Sequence, residues 1–274
     1  MSGVTSLFFS PTGATRKIVR AFSAGYGGPR TENDITLPVI REQLLKTGGP
    51  DDFFLFAGPV YGGRSFKLLT STIKEISGGG MPAGILVSYG GRHYDMALAD
   101  LYVAVSAAGF RVIACGAFVG EHSFSSAIQT GRPDENDLQF ARDFGHQVRE
   151  RLEAARAAGG SLPILALEEI PQRPVDLNGI GMHRERLGRM SPNRPFPEET
   201  CIRCGTCAAV CPLGLIDPDD PGRIEERCIK CNACVKACPV GAMRFPQEDF
   251  KEVARNCEET FGREERSPQI WFAK

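Results

Sequence analysis

Eight of the ten cysteines lie between Cys201 and Cys238, where they form two runs with one spacing. The runs are CIRCGTCAAVCP over 201–212 and CIKCNACVKACP over 228–239, and each reads C-x2-C-x2-C-x3-C-P. A disulfide framework needs an oxidising compartment, but the N-terminus, Met1-Ser2-Gly3-Val4, lacks the basic segment of an export signal. The crowding therefore predicts a small segment that folds around metal.

The doubled spacing favours two [4Fe–4S] clusters over structural zinc. Zinc sites take four ligands, usually as two separated pairs, and two four-cysteine runs that each end in Cys-Pro do not fit that arrangement. In the iron–sulfur pattern, three thiolates of one run hold a cluster and the fourth, before the proline, reaches the other cluster. The predicted ligand sets are Cys201, Cys204, Cys207 and Cys238 for one cluster, and Cys228, Cys231, Cys234 and Cys211 for the other.

Residues 1–160 alternate apolar runs with helical patterns. We predict strands over 3–10, 33–37, 52–57, 83–88 and 110–119, and helices over 14–24, 65–76, 94–108 and 134–157. Strands that alternate with helices in this way indicate a parallel sheet covered by helices on both faces. This part of the chain is therefore predicted to be a separate α/β domain.

The rest of the chain is predicted to divide into three parts. Residues 161–196 are a proline-rich linker, 197–245 the cysteine domain, and 246–274 a polar tail with room for a short helix. The linker holds a basic patch of His183, Arg184, Arg186, Arg189 and Arg194. The patch is either a docking point for an acidic partner protein or a solvated linker with scattered charge.

Three loops of the first domain follow predicted strands. The loop Ser10-Pro11-Thr12-Gly13-Ala14-Thr15 suits a phosphate, because backbone amides at a helix N-terminus and hydroxyl groups bind anions. It has no Gly-Lys-Ser/Thr, and no G-x-G-x-x-G follows any strand, so nucleotide triphosphate and dinucleotide fingerprints are absent. The other loops cover 58–63 and 88–95. With strand order 2-1-3-4-5, all three loops meet where open α/β sheets bind ligands.

These motifs carry a family resemblance. Residues 1–160 resemble flavodoxin, with an S/T-x-T-G-x-T phosphate loop and two ring-flanking loops, and residues 197–245 resemble the bacterial two-cluster ferredoxin. The whole chain resembles the flavodoxin–ferredoxin fusions of anaerobic bacteria and archaea. The resemblance implies a flavodoxin-like five-stranded parallel sheet of order 2-1-3-4-5, a small α+β two-cluster ferredoxin domain, and FMN as a further cofactor.

The resemblance also implies which residues contact FMN. The phosphate would be held by Ser10, Thr12, Gly13, Ala14 and Thr15. One side of the ring would meet Pro59, Val60, Tyr61, Gly62 and Gly63, with Tyr61 stacking. The pyrimidine side would meet Ser88, Tyr89, Gly90, Gly91, Arg92, Tyr94 and Asp95, with Tyr89 or Tyr94 stacking.

The ring loops depart from small flavodoxins in their charge. Instead of acidic residues they carry Arg64, Arg92 and His93. Positive groups near the ring favour the anionic reduced flavin, so we expect a higher potential than that of flavodoxin. His122, after the fifth strand, is either a proton donor to the ring or a surface histidine.

Three functions remain open from the sequence. The first is an electron-transfer protein that passes single electrons between two [4Fe–4S] clusters and FMN, and on to a redox partner protein or substrate. The second is an FMN-dependent reductase of a small molecule, for which residues 120–133 would form a lid. The third is a redox sensor. The missing nicotinamide fingerprint argues against direct NAD(P)H oxidation.

Composition limits the partners and the location that we expect. The formal net charge of −1 predicts no general attraction to nucleic acid. The longest apolar runs, 52–61 and 82–89, fall short of the ~20 residues of a membrane-spanning helix. We therefore expect a cytoplasmic protein with redox partner proteins, and the linker length also permits a homodimer.

Overall fold

In the computed structural model, residues 2–41, 49, 51–159, 161–178 and 192–273 are described. The N-terminal half contains the strands β1 Val4–Phe8, β2 Arg30–Asp34, β3 Phe53–Tyr61, β4 Arg64–Ser65, β5 Pro82–Tyr89 and β6 Arg111–Val119. Its helices are α1 Ala14–Tyr26, α2 Pro38–Arg41, α3 Lys67–Lys74, α4 Ala97–Ala107 and α5 Glu135–Ala157. A 3₁₀ turn at Leu167–Glu169 follows. The remaining elements are β7 Phe196–Pro197, α6 Thr206–Ala209, α7 Ala233–Ala237, β8 Met243–Arg244, α8 Glu248–Phe261 and β9 Gln269–Phe272.

The main sheet has the order β2-β1-β3-β5-β6-β9. Its first five strands are parallel, with Val4 opposite both Arg30 and Phe53, and Phe54 opposite Ala83. The short β4 pairs back onto the end of β3. Counting only the parallel strands gives 2-1-3-4-5, so the predicted mixed α/β class and strand order are confirmed.

Helices cover both faces of this sheet because its central strands are apolar on both sides. One core lies under α3 and α4 and includes Phe56, Ile85 and Leu101. The other lies under α1 and α5. There, a Cβ on Gly25 or Gly145 would collide with backbone atoms of the facing helix, so glycine permits the close approach of α1 and α5.

Two predicted boundaries were wrong. The second strand is Arg30–Asp34, not 33–37, because an edge strand with polar side chains gives no apolar signal, and Ile35 belongs to the buried loop after it. The third strand extends to Tyr61 instead of ending at Ala57. Four of the six residues of the predicted loop 58–63 are therefore strand, and only Gly62 and Gly63 form the turn into β4.

The chain after residue 245 returns to the N-terminal half. Helix α8 is followed by β9, which pairs antiparallel with β6 and places Trp271 opposite Cys115. Phe272 lies edge-on to Phe144 of α5, with ring centroids 5.6 Å apart. The sheet thus has a sixth strand that the sequence analysis did not anticipate.

The cysteine-rich part is small. It consists of the β7–β8 ladder, the single turns α6 and α7, and a bridge between Ile216 and Ile224. Its apolar cluster includes two of the thiols, Cys207 and Cys234. So little apolar surface makes metal binding a large share of the folding free energy.

Part of the basic patch of the linker, namely His183, Arg184, Arg186 and Arg189, lies outside the described residues. Arg194 is described, and its guanidinium lies 5.4 Å from the centre of the Phe196 ring. Over the described ranges, the helices are all too short or too polar to cross a membrane.

Candidate functional site

The eight thiols of the two runs line two apolar cavities. Cys201, Cys204, Cys207 and Cys238 border one cavity; we call them the outer set. Cys211, Cys228, Cys231 and Cys234 border the other; we call them the inner set. The grouping is that of the predicted exchange of ligands between the runs. In the part of the chain that the structure describes, no three His, Cys, Asp or Glu side chains are placed to hold a single metal ion.

Backbone conformation shapes the two cavities alike. Arg203 and Lys230 occupy equivalent positions in the two runs and both have positive φ, 52° and 56°. Gly205 and Asn232, two residues further on, are left-handed as well and precede α6 and α7. Each run therefore curls around its cavity, and its amides face inward.

Amide groups donate to the thiols. Leu215 N donates to Cys211 Sγ at 3.4 Å, and Ala242 N donates to Cys238 Sγ at 3.2 Å. Hydrogen bonds of this kind tune iron–sulfur clusters. The four-thiol donor sets and the amide groups fit [4Fe–4S] clusters.

Both sets contain buried thiols, Cys231 and Cys234 in the inner set and Cys207 in the outer set, but only the outer set has an exposed one, Cys204. Burial raises the pKa of Cys231 to about 12 and also raises the pKa of Cys234, so both thiolates need a positive group such as bound metal. Cys204 is exposed, and the hydroxyl of Thr206, 3.2 Å from its sulfur, lowers the pKa of Cys204. The two sets thus differ in their access to solvent.

The loop after β1 forms a cradle at the start of α1. Gly13, at the N-cap position, has φ of 87° and makes no side-chain cap, so the first amides of the helix face the loop. Ser10 Oγ accepts from Arg16 N at 3.0 Å, and Thr12 is exposed. Thr15 Oγ1 lies 2.7 Å from Ser88 Oγ, so Ser88 supports this loop. Open amides and hydroxyl groups at a helix N-terminus fit a phosphate.

A cavity of about 210 Å³ opens where β3 and β5 end, at the same edge of the sheet as the cradle. Its lining includes seven of the residues predicted to contact the flavin ring, namely Val60, Tyr61, Gly62, Gly63, Tyr89, Gly90 and Arg92. We call it the ring pocket.

Five predicted ring contacts, Pro59, Ser88, Gly91, Tyr94 and Asp95, are not in this lining. Tyr94 is buried and donates from its hydroxyl to Gln269 Oε1 at 2.9 Å. Asp95 is fully buried, pairs with Arg92, and accepts from Arg173 Nε at 2.8 Å. These two side chains therefore hold the walls of the pocket from behind.

Eight residues beyond the predicted ring contacts complete the ring pocket: His93, His122, Ser123, Phe124, Leu177, Ile229, Lys230 and Cys257. The sequence analysis named His93 as a positive group near the ring, His122 as a candidate proton donor, and residues 120–133 as a lid. Ile229 and Lys230 come from the second cysteine run, Cys257 comes from α8, and Leu177 comes from the chain after α5. No local motif marked these four residues, because distant segments bring them together.

Polar contacts hold the segments that cover the ring pocket, which carry Leu177, Phe124 and Cys257 and which we call its roof. Arg92 Nη1 donates to Asp176 O at 3.2 Å, and Lys236 Nζ donates to Glu121 Oε1 at 2.5 Å and to His122 O at 2.9 Å. Phe124 packs on Phe250 of α8, with ring centroids 4.7 Å apart. The pocket is therefore walled by both halves of the chain.

The ring pocket is rich in donors. Arg92, His93, His122 and Lys230 line it, and the described lining contains no Asp or Glu. Burial lowers the pKa of His122 to about 4, so the imidazole is neutral at pH 7. Its Nδ1 accepts from Phe124 N at 3.2 Å, which assigns the ring proton to Nε2. The pocket suits a planar, electron-accepting group that gains negative charge.

Tyr61 connects the ring pocket with the inner thiols. Burial first, and then the charge of the Cys231 thiolate, raise the pKa of Tyr61 well above its usual value. Ile229 and Lys230, between Cys228 and Cys231, line the ring pocket, and Ile229 also borders the inner cavity. The two sites share one wall.

Comparison with known proteins covers the two halves separately. A family model described as a 4Fe-4S dicluster domain matches residues 200–243. No curated protein matches the chain.

Solved structures are similar to the N-terminal half. A short-chain flavodoxin associated with a PDU bacterial microcompartment is 14% identical, covers 56% of this chain and 99% of its own, and has a TM-score of 0.41. The flavodoxin of Streptococcus pneumonia TIGR4 is 17% identical, with the same coverages and a TM-score of 0.38. A flavone reductase is 9% identical over 58% of this chain and 66% of its own, with a TM-score of 0.42. The strand order of the sheet and the matched cysteine region together identify the chain as a fusion of a flavodoxin-like α/β fold with a 4Fe–4S dicluster domain.

Proposed function

We propose that the protein binds two [4Fe–4S] clusters and FMN and passes single electrons between them. The observation that carries the proposal is the wall that the inner cavity and the ring pocket share, formed by Ile229, which lines both. Electron transfer needs such close approach of two cofactor sites. If the clusters and the flavin served separate electron carriers, their two sites would not need to be adjacent in one chain.

The chain's own residues have definite tasks in this proposal. The outer and inner sets each hold one cluster, the amides of α1 and the hydroxyl of Thr12 hold the FMN phosphate, and Tyr61 and Tyr89 border the ring. The bound groups supply the redox chemistry: clusters exchange one electron at a time, and FMN exchanges one or two. The roof residues Leu177, Phe124 and Cys257 exclude water from the ring.

The charge of the ring pocket sets the direction in which the protein shifts the reduction potential of FMN. Arg92 and Lys230 stabilise negative charge on a reduced ring, and no described carboxylate in the lining opposes them. His122 offers a neutral Nε2–H group to the same space. We expect the FMN potential to be higher than in a protein whose ring site is acidic.

A second candidate, an FMN-dependent reductase of a small molecule, is favoured by one observation. The lid segment lines the ring pocket through His122, Ser123 and Phe124. A protein that only serves other proteins would leave the edge of its flavin open. Under this candidate the clusters deliver electrons to FMN, and a substrate displaces part of the lid.

Cofactor content tests the proposal. Anaerobically reconstituted protein should hold about eight iron atoms and one FMN per chain. Cys204→Ser and Cys231→Ser should each remove about four iron atoms, whereas Cys115→Ser, in the buried β6, should remove none. Full iron content in either ligand variant would refute the ligand sets, and absence of bound FMN would refute the flavin site.

Reductive titration separates the two candidates. Absorbance and electron paramagnetic resonance would follow the electrons as reductant is added. One-electron steps on the flavin alongside reduced clusters would support the relay. A flavin that takes up only electron pairs, and that is reoxidised by a small acceptor, would support the reductase.

A further inference from the structure

Equivalent dipeptides in the two cysteine runs lie in different surroundings. Ile202-Arg203 in the first run corresponds to Ile229-Lys230 in the second, with an apolar residue followed by a cation at positive φ. Because the backbones match, the two dipeptides project in the same way from their cavities. They are two copies of one surface.

The second copy is already occupied. Ile229 is half-buried and packs against the apolar core of the α/β domain, and Lys230 lines the ring pocket. This copy is the contact through which the inner set meets a redox site.

The first copy is open. Ile202 is 62% exposed, Val240 beside the same cavity is 45% exposed, and Arg203 and Cys204 are exposed too. An exposed apolar pair around an accessible thiol, with a cation at its edge, is a pattern typical of an interface with a partner. In the described part of the chain, the ring pocket is covered whereas this face is not.

We propose that the face formed by Ile202, Arg203 and Val240, which we call the outer face, docks an acidic one-electron carrier protein. The inference rests on the proposed function and extends it to the partner. The carrier's apolar cofactor edge would cover Ile202 and Val240, and its carboxylates would pair with Arg203. In the step, the carrier loses one electron and the outer cluster gains it; no proton or bond is transferred.

The matching surfaces supply the reason for this choice. The second run uses its Ile-Lys pair to touch the protein that receives or supplies its electrons. The first run carries an apolar residue and a cation at the same positions, and there they are exposed and not covered by the α/β domain. A small-molecule reductant would need no exposed apolar pair.

The test uses the reconstituted full chain and a small acidic two-[4Fe–4S] ferredoxin as the probe. Isothermal titration measures binding of the oxidised ferredoxin, and stopped-flow absorbance measures reduction of bound FMN by the reduced form. Reduced methyl viologen, which needs no docking surface, serves as the reference reductant. The variants are Arg203→Glu and Ile202→Ser, and the matched control is Lys74→Glu at an exposed cation of α3.

We expect Arg203→Glu to weaken binding of the ferredoxin about tenfold and to lower the ratio of the ferredoxin rate to the viologen rate by a similar factor. Ile202→Ser should also weaken ferredoxin binding and lower the rate ratio, and these losses should depend less on salt concentration than those of Arg203→Glu. Lys74→Glu should change neither value. If Arg203→Glu loses iron, Ile202→Ser and Val240→Ser decide the question.

Two results would overturn the inference. The first is unchanged binding and an unchanged rate ratio in all outer-face variants that retain their iron. The second is an equal effect of Lys74→Glu, which would show attraction without a docking site. If viologen itself failed to reduce FMN in the unaltered protein, the proposed function would fail, a result distinct from both.

Discussion

At the scale of residues, the ring pocket depends on a buried charge cluster under a glycine turn. Asp95 is fully buried, and its carboxylate forms ion pairs with the guanidinium groups of Arg92 and Arg173. Gly63 closes over it with φ of 79°, and a Cβ at Gly63 would collide with the Asp95 carboxylate. The turn that borders the pocket therefore admits no larger side chain.

Gly63→Ala should destabilise the protein more than Gly80→Ala does. Both glycines have nearly the same φ, 79° and 80°, but a Cβ at Gly80 meets nothing within 4 Å. Both variants bear the cost of a positive φ, about 1 kcal/mol, and only Gly63→Ala adds overpacking of about 2 kcal/mol. Urea denaturation measures the difference. Equal losses in the two variants would show that the carboxylate yields to the methyl group.

His122 should make stability depend on pH. Its pKa falls from 6.5 to about 4 on folding, chiefly through burial and then through Lys236 and Arg92. The unfolded chain therefore binds the proton first as pH falls below 6.5, and stability is lost between pH 6.5 and 4. The linkage amounts to about 2 kcal/mol between pH 7 and 5.

Replacement of the imidazole tests this linkage. His122→Gln should lose about 2 kcal/mol less than the unaltered protein between pH 7 and 5 in urea denaturation. His93, whose pKa burial also lowers, remains in both proteins and cancels. Parallel pH profiles for the two proteins would show that His122 is accessible to protons in the folded state.

The sequence allowed prediction of those site residues that belong to a motif within one short segment of the chain. The spacing of the cysteines predicted which thiols share a cavity, and the three loops after strands contain the cradle and the seven predicted ring contacts that line the ring pocket. Ile229, Leu177 and Cys257 were not predictable, since no spacing relates a residue of one segment to the pocket of another. The roles of Tyr94 and Asp95 differ because each of these buried side chains pairs with a residue far along the chain, Gln269 and Arg173 respectively.

At the scale of elements, the main sheet has a strand from each end of the chain. The apolar central strands and their alternation with helices made the parallel order predictable. Strand β9 escaped prediction because it has four residues, follows a polar stretch, and runs antiparallel to β6. It also covers β6, which would otherwise be an exposed edge.

Removal of residues 269–274 should therefore destabilise the α/β part. The truncation uncovers the backbone of Ala114–Ala117 and removes the aromatic contacts of Trp271 and Phe272, at a cost of about 3 kcal/mol. Denaturation followed by circular dichroism measures the loss. Val39→Ala, at a side chain 62% exposed on α2, is the control. A truncated chain as stable as the control would mean that β9 contributes no net stability.

At the scale of the whole molecule, the inner thiol set is held against the α/β part from several sides. Arg41 Nη2 donates to the carbonyl of Pro212, next to Cys211, at 2.8 Å, and Lys236 pairs with Glu121. Ile229 packs on the core between them. Metal bound at the inner set would therefore order a wall of the ring pocket, which the outer set does not line. Binding at the two sites should be coupled.

This coupling predicts that loss of the inner cluster weakens FMN binding and loss of the outer cluster does not. Cys231→Ser leaves the loop that carries Ile229 and Lys230 without its metal, so the pocket loses part of its wall. We expect the Kd for FMN to rise about tenfold, which corresponds to about 1.4 kcal/mol. Cys204→Ser, a matched change in the outer set, should leave the Kd within about twofold of the unaltered protein. Quenching of flavin fluorescence gives both constants under anaerobic conditions. Equal constants for the two variants would show that the wall keeps its shape without metal, and the two sites would then be neighbours without being coupled.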